Sequence, residues 1–353
     1  MTVDYIIVGQ GISGTWLGYY LLQANKSILV IDKENLQSAS NAAGGLINPV
    51  TGRRVVTTWL AETLMPFAWN EYNELGSLLN IQCISRKNIL VFPAAPDLMK
   101  AFIDRIQGGN GYIKTPAINK ETLRQQVSFP FDVFEIDPCY VIKMRELLQS
   151  FRNHLKTKNI LLNEWFDESQ LVFKTGHVEY KNINAKQIIY ADGIQSAQSI
   201  YWDKLPFVLN KGQALLLEID GLNSAYTYKF GHITLASLDH NVWWAGSSNE
   251  LEFISAEPSA GFKERTAGVL KSILKIPFTV KEHISAVRSA TVERRPFAGI
   301  HPVHKQLAIL NGMGSKGCSL APWFAKELAG NLIHGKPIDA LANVQRFARM
   351  LSR

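Results

Sequence analysis

Three glycines near the beginning of the chain have a spacing that can bind a phosphate group. Gly9, Gly11 and Gly14 form the pattern G-x-G-x-x-G. The first glycine permits a tight turn, the second lets a pyrophosphate approach the backbone, and the third lets a helix pack closely on a strand. The free N–H groups at the beginning of that helix attract phosphates. Because the pattern alone is weak, its context decides what it means.

The residues around the glycines predict the strand, turn and helix of a dinucleotide site. "DYIIV", from Asp4 to Val8, is typical of a short buried strand, and an apolar helical pattern follows the glycines. A second predicted strand, "SILVIDK", ends near Asp32, which lies 23 residues after Gly9. A carboxylate at this position binds an adenosine ribose that carries no phosphate. The sequence therefore favours FAD or NAD over NADP.

Composition excludes few classes of function. The 353 residues suffice for a large core and two domains, and 46% hydrophobic with 19% charged residues is ordinary for an enzyme. The net charge of +7 comes without a dense basic block. This mild excess of positive charge is compatible with an anionic substrate or with nucleic acid, and it requires neither.

The cysteines and the ends of the chain indicate a compartment. Cys83, Cys139 and Cys318 have no C-x-x-C spacing, so we expect neither a disulfide framework nor a metal site. A reducing, cytoplasmic location fits this usage. The first predicted strand begins close to Met1 and no run of 18 apolar residues occurs. We therefore expect neither a signal peptide nor a membrane span.

The remaining pattern predicts an interrupted cofactor fold. A loop from Gln37 to Arg54 precedes an aromatic-rich helix, "TWLAETLMPFAWNEYNELGSLL", and "YVIKMRELLQSFRNHLKTKN" predicts an amphipathic helix. Later strands end at a turn, Ala191-Asp192-Gly193, and the chain is rich in strands again from Lys204. The last segment, "LAILNGMGSKGCSLAPWFAKELAGNLIHGKP", predicts a strand, a glycine turn and a helix that ends at Gly335.

This order of elements predicts an α/β fold, α+β overall, with two domains. We expect a Rossmann-like FAD-binding domain from residues 1–80, 141–203 and 296–353. An inserted antiparallel-sheet substrate domain would then comprise residues 81–140 and 204–295.

Several motifs, taken in order, resemble the D-amino-acid oxidase-like family of FAD-dependent oxidoreductases, which includes glycine oxidase, sarcosine oxidase and the flavin domain of MnmC. They are "DYIIVGQGISG", "SNAAGG", "KGQ", "WWAGSSNE", "VRSATVERRPFAG" and "GMGSKGCSLAP", and they cover most of the chain. The resemblance implies FAD, with its flavin half at the loop Ser38–Leu46 and the turn Gly312–Gly317. A helix beginning near Ser319 would direct its positive end toward the flavin.

The resemblance, together with the first glycine turn, implies a set of cofactor contacts. They are Gly9, Gly11, Ile12, Ser13, Gly14, Asp32, Lys33, Ser40, Asn41, Ala43, Gly44, Gly45, Leu46, Ala191, Gly193, Gly312, Gly314, Ser315, Lys316 and Gly317. The alternative for the later turns is a plain connector, and for the loop a flexible surface segment. No cysteine lies near Arg288, where sarcosine-oxidase-like members carry a covalent flavin, so we expect non-covalent FAD.

Flavin amine oxidation requires mainly that the protein orient the substrate. The resemblance assigns Arg288 as the anchor of a substrate carboxylate, and strand alternation places it on one face with Ala286 and Ala290. Arg53 and Arg54 are second candidates, and Lys316 is a candidate for contact with flavin or substrate. The alternative for each of these cations is a solvated or ion-paired side chain.

Three functions follow. The first is oxidation of the C–N bond of a small amino acid or secondary amine by hydride transfer to flavin N5, giving an imine that hydrolyses. The second is an MnmC-like modification of a tRNA wobble uridine; tRNA is not favoured, because the sequence shows no basic stripe. The third is a non-catalytic flavin-binding subunit of a dehydrogenase complex. The sequence leaves the exact substrate, the electron acceptor and the oligomeric state undetermined.

Overall fold

The structure is a computed structural model that describes residues 1–52 and 54–353. Arg53, one of the second candidates for the carboxylate anchor, lies outside the described residues. The helices are α1 Ile12–Gln23, α2 Ala61–Leu79, α3 Pro96–Gln107, α4 Lys120–Gln126, α5 Met144–Thr157, α6 Ala260–Ile273, α7 Gly317–His334 and α8 Ala348–Leu351.

The strands divide between a mainly parallel sheet, a mainly antiparallel sheet and two small sheets. They are β1 Thr2–Val8, β2 Ile28–Ile31, β3 Leu46–Ile47, β4 Val50–Thr51, β5 Val56–Thr57, β6 Ile84–Arg86, β7 Ile89–Phe92, β8 Ile113–Lys114, β9 Phe134–Ile136, β10 Tyr140–Ile142, β11 Leu161–Leu162, β12 Leu171–Lys174, β13 His177–Tyr180, β14 Ile183–Tyr190, β15 Phe207–Ile219, β16 Thr227–Phe230, β17 Ile233–Ser237, β18 Val242–Gly246, β19 Phe278–Thr291, β20 Phe297–Ile300 and β21 Leu307–Asn311.

The first large sheet has a parallel centre of β11, β2, β1, β14 and β21. Its central strands are continuous apolar runs, as expected for strands that are buried on both faces. Helices α1 and α7 pack against each other, with Trp16 and Phe324 in one core cluster. The carboxyl ends of β1, β14 and β21 therefore lie at one edge, where ligands bind in such sheets.

The second large sheet runs in the order β19-β15-β18-β17-β16-β7-β9-β8 and is antiparallel except where β16 meets β7. One face packs under α6 through Leu270 and Leu274. The opposite face meets the loop that follows β2, through Ala42 and Leu46. The predicted fold class is confirmed, whereas the domain boundaries given above stay a prediction.

The segment from Tyr140 to Asn159 corrects one prediction. Tyr140–Ile142 is a strand that pairs with β6 and β3, and α5 begins only at Met144. Partners distant in sequence offer these apolar residues a small sheet, and that pairing outweighs the local helical pattern. The last helix begins at Gly317, two residues before the predicted position, and is followed by Gly335 at φ +66°.

Candidate cofactor and substrate site

The first glycine turn is built for close backbone approach. Gly9 has φ +93°, and a Cβ on it would lie 2.7 Å from the carbonyl oxygen of Ala191. A Cβ on Gly14 would lie 1.9 Å from the Gly9 carbonyl oxygen. Helix α1 begins at Ile12 after Gly11, which has no side chain to cap it, and Gly11 lines a neighbouring cleft of about 440 Å³. The amino end of α1 can therefore receive a pyrophosphate.

The loop after β2 contacts this turn. The Ser40 hydroxyl oxygen accepts the N–H of Ile12 at 3.0 Å, and Ser13 is buried in the first turn of α1. Asn41 donates to the Ser38 hydroxyl at 3.0 Å, which holds the loop in a compact turn. Because the Ser40 hydroxyl can also donate, it can serve both the helix and a phosphate oxygen.

Asp32 lies at the cleft and is held by an arginine that sequence reasoning missed. One carboxylate oxygen accepts the N–H of Gln10 at 2.8 Å, and the other pairs with Arg152 at 2.5 Å. The Arg152 side chain is only 2% exposed and also donates to Asn163 and to the Asp32 carbonyl oxygen. The signal that could have identified Arg152 in the sequence was the presence of a basic residue on the buried face of α5, next to Phe151. Lys33, in contrast, is exposed and does not line the cleft.

The turns after β14 and β21 meet the first glycine turn. Asn311 donates to the Gly193 carbonyl oxygen at 2.8 Å and accepts the N–H of Gly312 at 2.8 Å. Asp192 accepts a hydrogen bond from Ser196, and burial nevertheless raises the pKa of its carboxyl to about 7. The three predicted cofactor turns are thus brought together at one edge of the parallel sheet.

The glycine turn before α7 lies against β19. A Cβ on Gly312, which has φ +76°, would lie 2.6 Å from Thr291. A Cβ on Gly314 would lie 3.3 Å from Ala290. Ser315 is exposed, and α7 begins at Gly317 close to the amino end of α1. This turn therefore joins the cofactor edge to the strand that carries Arg288.

Arg288 has only neutral hydrogen-bond partners among the described residues. Its guanidinium donates to Asn210 at 2.8 Å and to the Ser247 hydroxyl at 3.0 Å. It lies over Gly212, where a Cβ would be 1.8 Å from Nη2. Burial lowers its pKa, which the more distant charge of Glu250 partly offsets. Nη1 also donates to the Ser248 carbonyl oxygen at 3.3 Å, so among the described residues Nε–H and one N–H of Nη2 have no partner and can bind a carboxylate.

The other predicted cations have different surroundings. The Lys316 ammonium donates to Asn48 Oδ1 at 2.9 Å, and burial lowers its pKa to about 8. Arg54 is exposed on the hairpin of β4 and β5, and its carbonyl oxygen accepts a bond from Arg105. In the described part of the chain, no hydrogen bond or ion pair joins Arg54 to Arg288 or Lys316.

The loop that was predicted to face the flavin packs against Trp244. The indole N–H donates to the Ala42 carbonyl oxygen at 3.0 Å, and a Cβ on Gly44 would lie 2.6 Å from its ring. Gly45 has φ +70° and lies against the Ile142 carbonyl oxygen. Ala43 and Leu46 complete the loop as partly buried residues. The loop is therefore packed against residues of both large sheets.

The side chains present fit the ribose and pyrophosphate of a dinucleotide. The glycine turn and the open end of α1 suit the pyrophosphate, and Asp32 suits the ribose. Cys318 is buried with its sulfur 3.7 Å from Met144 Sδ, and burial raises its pKa to about 12. No group of three or more His, Cys, Asp or Glu residues in the described ranges is placed to hold a metal ion. No helix within the same ranges is long and apolar enough to cross a membrane.

Comparison with protein families assigns the chain. A family model described as "DAO: FAD dependent oxidoreductase" matches residues 4–330. The chain belongs to the DAO family. It is therefore an FAD-dependent oxidoreductase, as the resemblance implied, and FAD rather than NAD is its dinucleotide.

Solved structures share the fold over nearly the whole chain. Iminodiacetate oxidase from Chelativorans sp. BNC1 superposes with a TM-score of 0.79 at 20% identity, covering 96% of this chain and 97% of that one. Glycine oxidase from Geobacillus kaustophilus gives 0.76 at 16% identity, covering 96% of each chain. L-proline dehydrogenase from P. horikoshii gives 0.77 at 16% identity, covering 99% and 98%. At these identities the likeness concerns the fold.

Proposed function

We propose that this DAO-family protein oxidises the C–N bond of a small amino acid or secondary amine that carries a carboxylate. When bound, FAD supplies the hydride acceptor, and the imine left on the substrate is hydrolysed by water. The proposal is carried by Arg288, a buried guanidinium with neutral partners beside the turn that leads into α7. The fold neighbours described as iminodiacetate oxidase and glycine oxidase act on substrates of this kind and support it.

The residues around Arg288 prepare it to orient a substrate. Asn210 and Ser247 hold two of its nitrogens, and the bare Gly212 lets the guanidinium lie flat on the sheet. Ala286 and Ala290, on the same face, have small side chains. A carboxylate fixed by this fork has a defined direction, so its neighbouring C–H bond is also fixed.

Arg288 also favours the proposal over the third alternative. A non-catalytic flavin-binding subunit has no need of a cation that anchors a carboxylate, and the neutral partners of Arg288 support such a role. The tRNA alternative presents the same N–CH2–COO− unit to the site. It is therefore tested as one arm of the same experiment.

The test is an anaerobic substrate screen of the FAD-loaded protein. Glycine, sarcosine, D-amino acids and modified tRNA are each mixed with the enzyme, and flavin bleaching is followed by absorbance. We expect bleaching by a carboxylate-bearing amine and much slower bleaching by its decarboxylated analogue. Bleaching by no small amine contradicts the proposal, and bleaching by tRNA alone supports the second function.

Matched variants show whether Arg288 is the anchor. Arg288→Met should remove the discrimination between the amino acid and the decarboxylated amine. Arg124→Met, which changes an exposed arginine on α4, should retain it. Equal discrimination in both variants would contradict the assigned role of Arg288.

A further inference from the structure

Asn311, the last residue of β21, uses its whole side-chain amide in hydrogen bonds inside the protein. The residue is 3% exposed. Its amide nitrogen donates to the Gly193 carbonyl oxygen at 2.8 Å and to the Ser196 hydroxyl at 2.9 Å. Its amide oxygen accepts the N–H of Gly312 at 2.8 Å and the Ser289 hydroxyl at 2.8 Å. Both N–H groups of the amide and both lone pairs of its oxygen therefore have partners.

The backbone partners fix the orientation of this amide. A carbonyl oxygen can only accept and a backbone N–H can only donate, so Gly193 faces the amide nitrogen and Gly312 faces the amide oxygen. The Ser196 hydroxyl donates its proton to Asp192 and accepts from Asn311. A side chain of the same shape without this pair of donors and this acceptor would leave several of these groups unpaired.

The four bonds join the cofactor edge of the parallel sheet to the strand that carries Arg288. Gly193 lies in the turn after β14, and Gly312 begins the turn that leads into α7. Ser289 is on β19, next to Arg288 in the chain and, by strand alternation, on the opposite face. Asn311 therefore connects both later cofactor turns to β19 without occupying the face that carries Arg288.

The guanidinium of Arg288 is held by a different set of residues. Asn210, Ser247 and Ser248 accept its hydrogen bonds, and they belong to β15 and to the segment that follows β18. These bonds fix the guanidinium on the antiparallel sheet. The affinity of Arg288 for a carboxylate and the position of Arg288 relative to the cofactor edge therefore depend on different contacts.

We propose that Asn311 is a positioning residue that aligns the carboxylate anchor Arg288 with the turn Gly312–Gly317, which the resemblance places at the flavin. Without the bonds of Asn311, β19 and this turn can shift relative to each other, and a shift of about 1 Å between reacting groups can cost about 100-fold in rate. A carboxylate would still bind Arg288, but its neighbouring C–H bond would have the wrong direction. This inference rests on the proposed function, because Arg288 must anchor the substrate.

The test measures alignment and affinity separately on the FAD-loaded enzyme. The amine found by the substrate screen is mixed with the enzyme anaerobically in a stopped-flow instrument, and the rate constant of flavin reduction is recorded at saturating amine. Propionate, a carboxylate without an amine, is titrated in a second experiment. This titration gives the dissociation constant of propionate and the difference spectrum of the flavin at saturation, and neither quantity requires turnover.

A matched pair of variants at Ser289 tests the link to β19. Ser289→Ala removes only the bond between the Asn311 amide and the strand, and it should lower the rate constant of flavin reduction about 2- to 10-fold. The dissociation constant of propionate should change less than about 2-fold, because the partners of the Arg288 guanidinium remain. Ser289→Thr retains a hydroxyl and should restore most of the rate.

Asn311→Ala removes all four bonds and should lower the rate constant about 10- to 100-fold. If this variant does not fold, the Ser289 pair decides. The control Asn88→Ala removes a partly buried amide that bonds to Glu135 and Cys139, outside the cofactor turns, and should retain the wild-type rate constant and difference spectrum. A wild-type rate constant in Ser289→Ala would overturn the alignment role, and so would a loss of propionate affinity in parallel with the rate.

The same measurements separate this inference from the proposed function. If an amine reduces the wild-type flavin and Ser289→Ala behaves as the wild type, the oxidation stands and the alignment role fails. If no amine reduces the flavin, the proposed oxidation fails and the propionate difference spectrum decides the alignment. That spectrum should then change in Ser289→Ala at equal propionate affinity and return in Ser289→Thr; an unchanged spectrum, or no binding of propionate, would overturn the inference.

Discussion

Replacing Arg152 with methionine should weaken FAD binding, although Arg152 acts on the cofactor site indirectly, through Asp32. The substitution removes the cation at 2.5 Å from the Asp32 carboxylate, together with the bonds to Asn163 and Gln10. Breaking a buried ion pair from one side costs about 3–5 kcal/mol. Because Asp32 retains 20% exposure, water screens part of that loss, and we expect the lower end, about 3 kcal/mol, in the free energy of unfolding.

The effect on FAD follows from the freed carboxylate. Asp32 would keep its bond from the Gln10 N–H but lose its second fixed oxygen. An unneutralised carboxylate would then stand at the end of a cleft that must also hold a pyrophosphate. Weakening the charge-assisted hydrogen bond between Asp32 and the ribose should raise the dissociation constant of FAD about 10- to 100-fold.

The assay is titration of the FAD-free protein with FAD, followed by quenching of flavin fluorescence, alongside urea unfolding. Lys156→Met is the control, because Lys156 is an exposed cation on the same helix and does not line the cleft. It should leave the affinity for FAD unchanged and alter the free energy of unfolding by less than about 0.5 kcal/mol. Wild-type FAD affinity in a folded Arg152→Met protein would refute the positioning role.

Three further predictions concern groups at the site. Arg288→Ala should lower kcat/KM about 10- to 150-fold on the substrate found by screening. Arg288→Lys should recover only part of this loss, because the point charge of an ammonium cannot replace the bidentate guanidinium. An unchanged kcat/KM would show that Arg288 has a structural role. Asp192→Asn should raise the melting temperature of the FAD-free protein more at pH 8 than at pH 5. Burial raises the pKa of the Asp192 carboxyl to about 7, so the stability that the protonated carboxyl contributes to the wild type is lost as pH rises through 7. At pH 8 we expect the variant to be more stable than the wild type by at least about 1 kcal/mol, or roughly 2 °C. Acid precipitation should release all flavin into the supernatant, because the Cys318 thiol is buried and packed; retained yellow colour would show a covalent link.

The sequence by itself determined the dinucleotide half of this protein. The apolar run of β1, the spacing of Gly9, Gly11 and Gly14, and the carboxylate of Asp32 all lie within a short stretch, where backbone geometry follows from local residue types. The structure places Gly11 and Asp32 in the lining of one cleft. The family could also be inferred from the order of short motifs, and the family model confirms it.

Tertiary structure alone decided which partners these side chains have. Arg152 meets Asp32 across 120 positions, and Lys316 meets Asn48 across 268. Tyr140–Ile142 becomes a strand only because β6 and β3 lie beside it. Whether a cation is solvated, paired or left for a ligand depends on packing between distant segments, and no local pattern of residues contains that information.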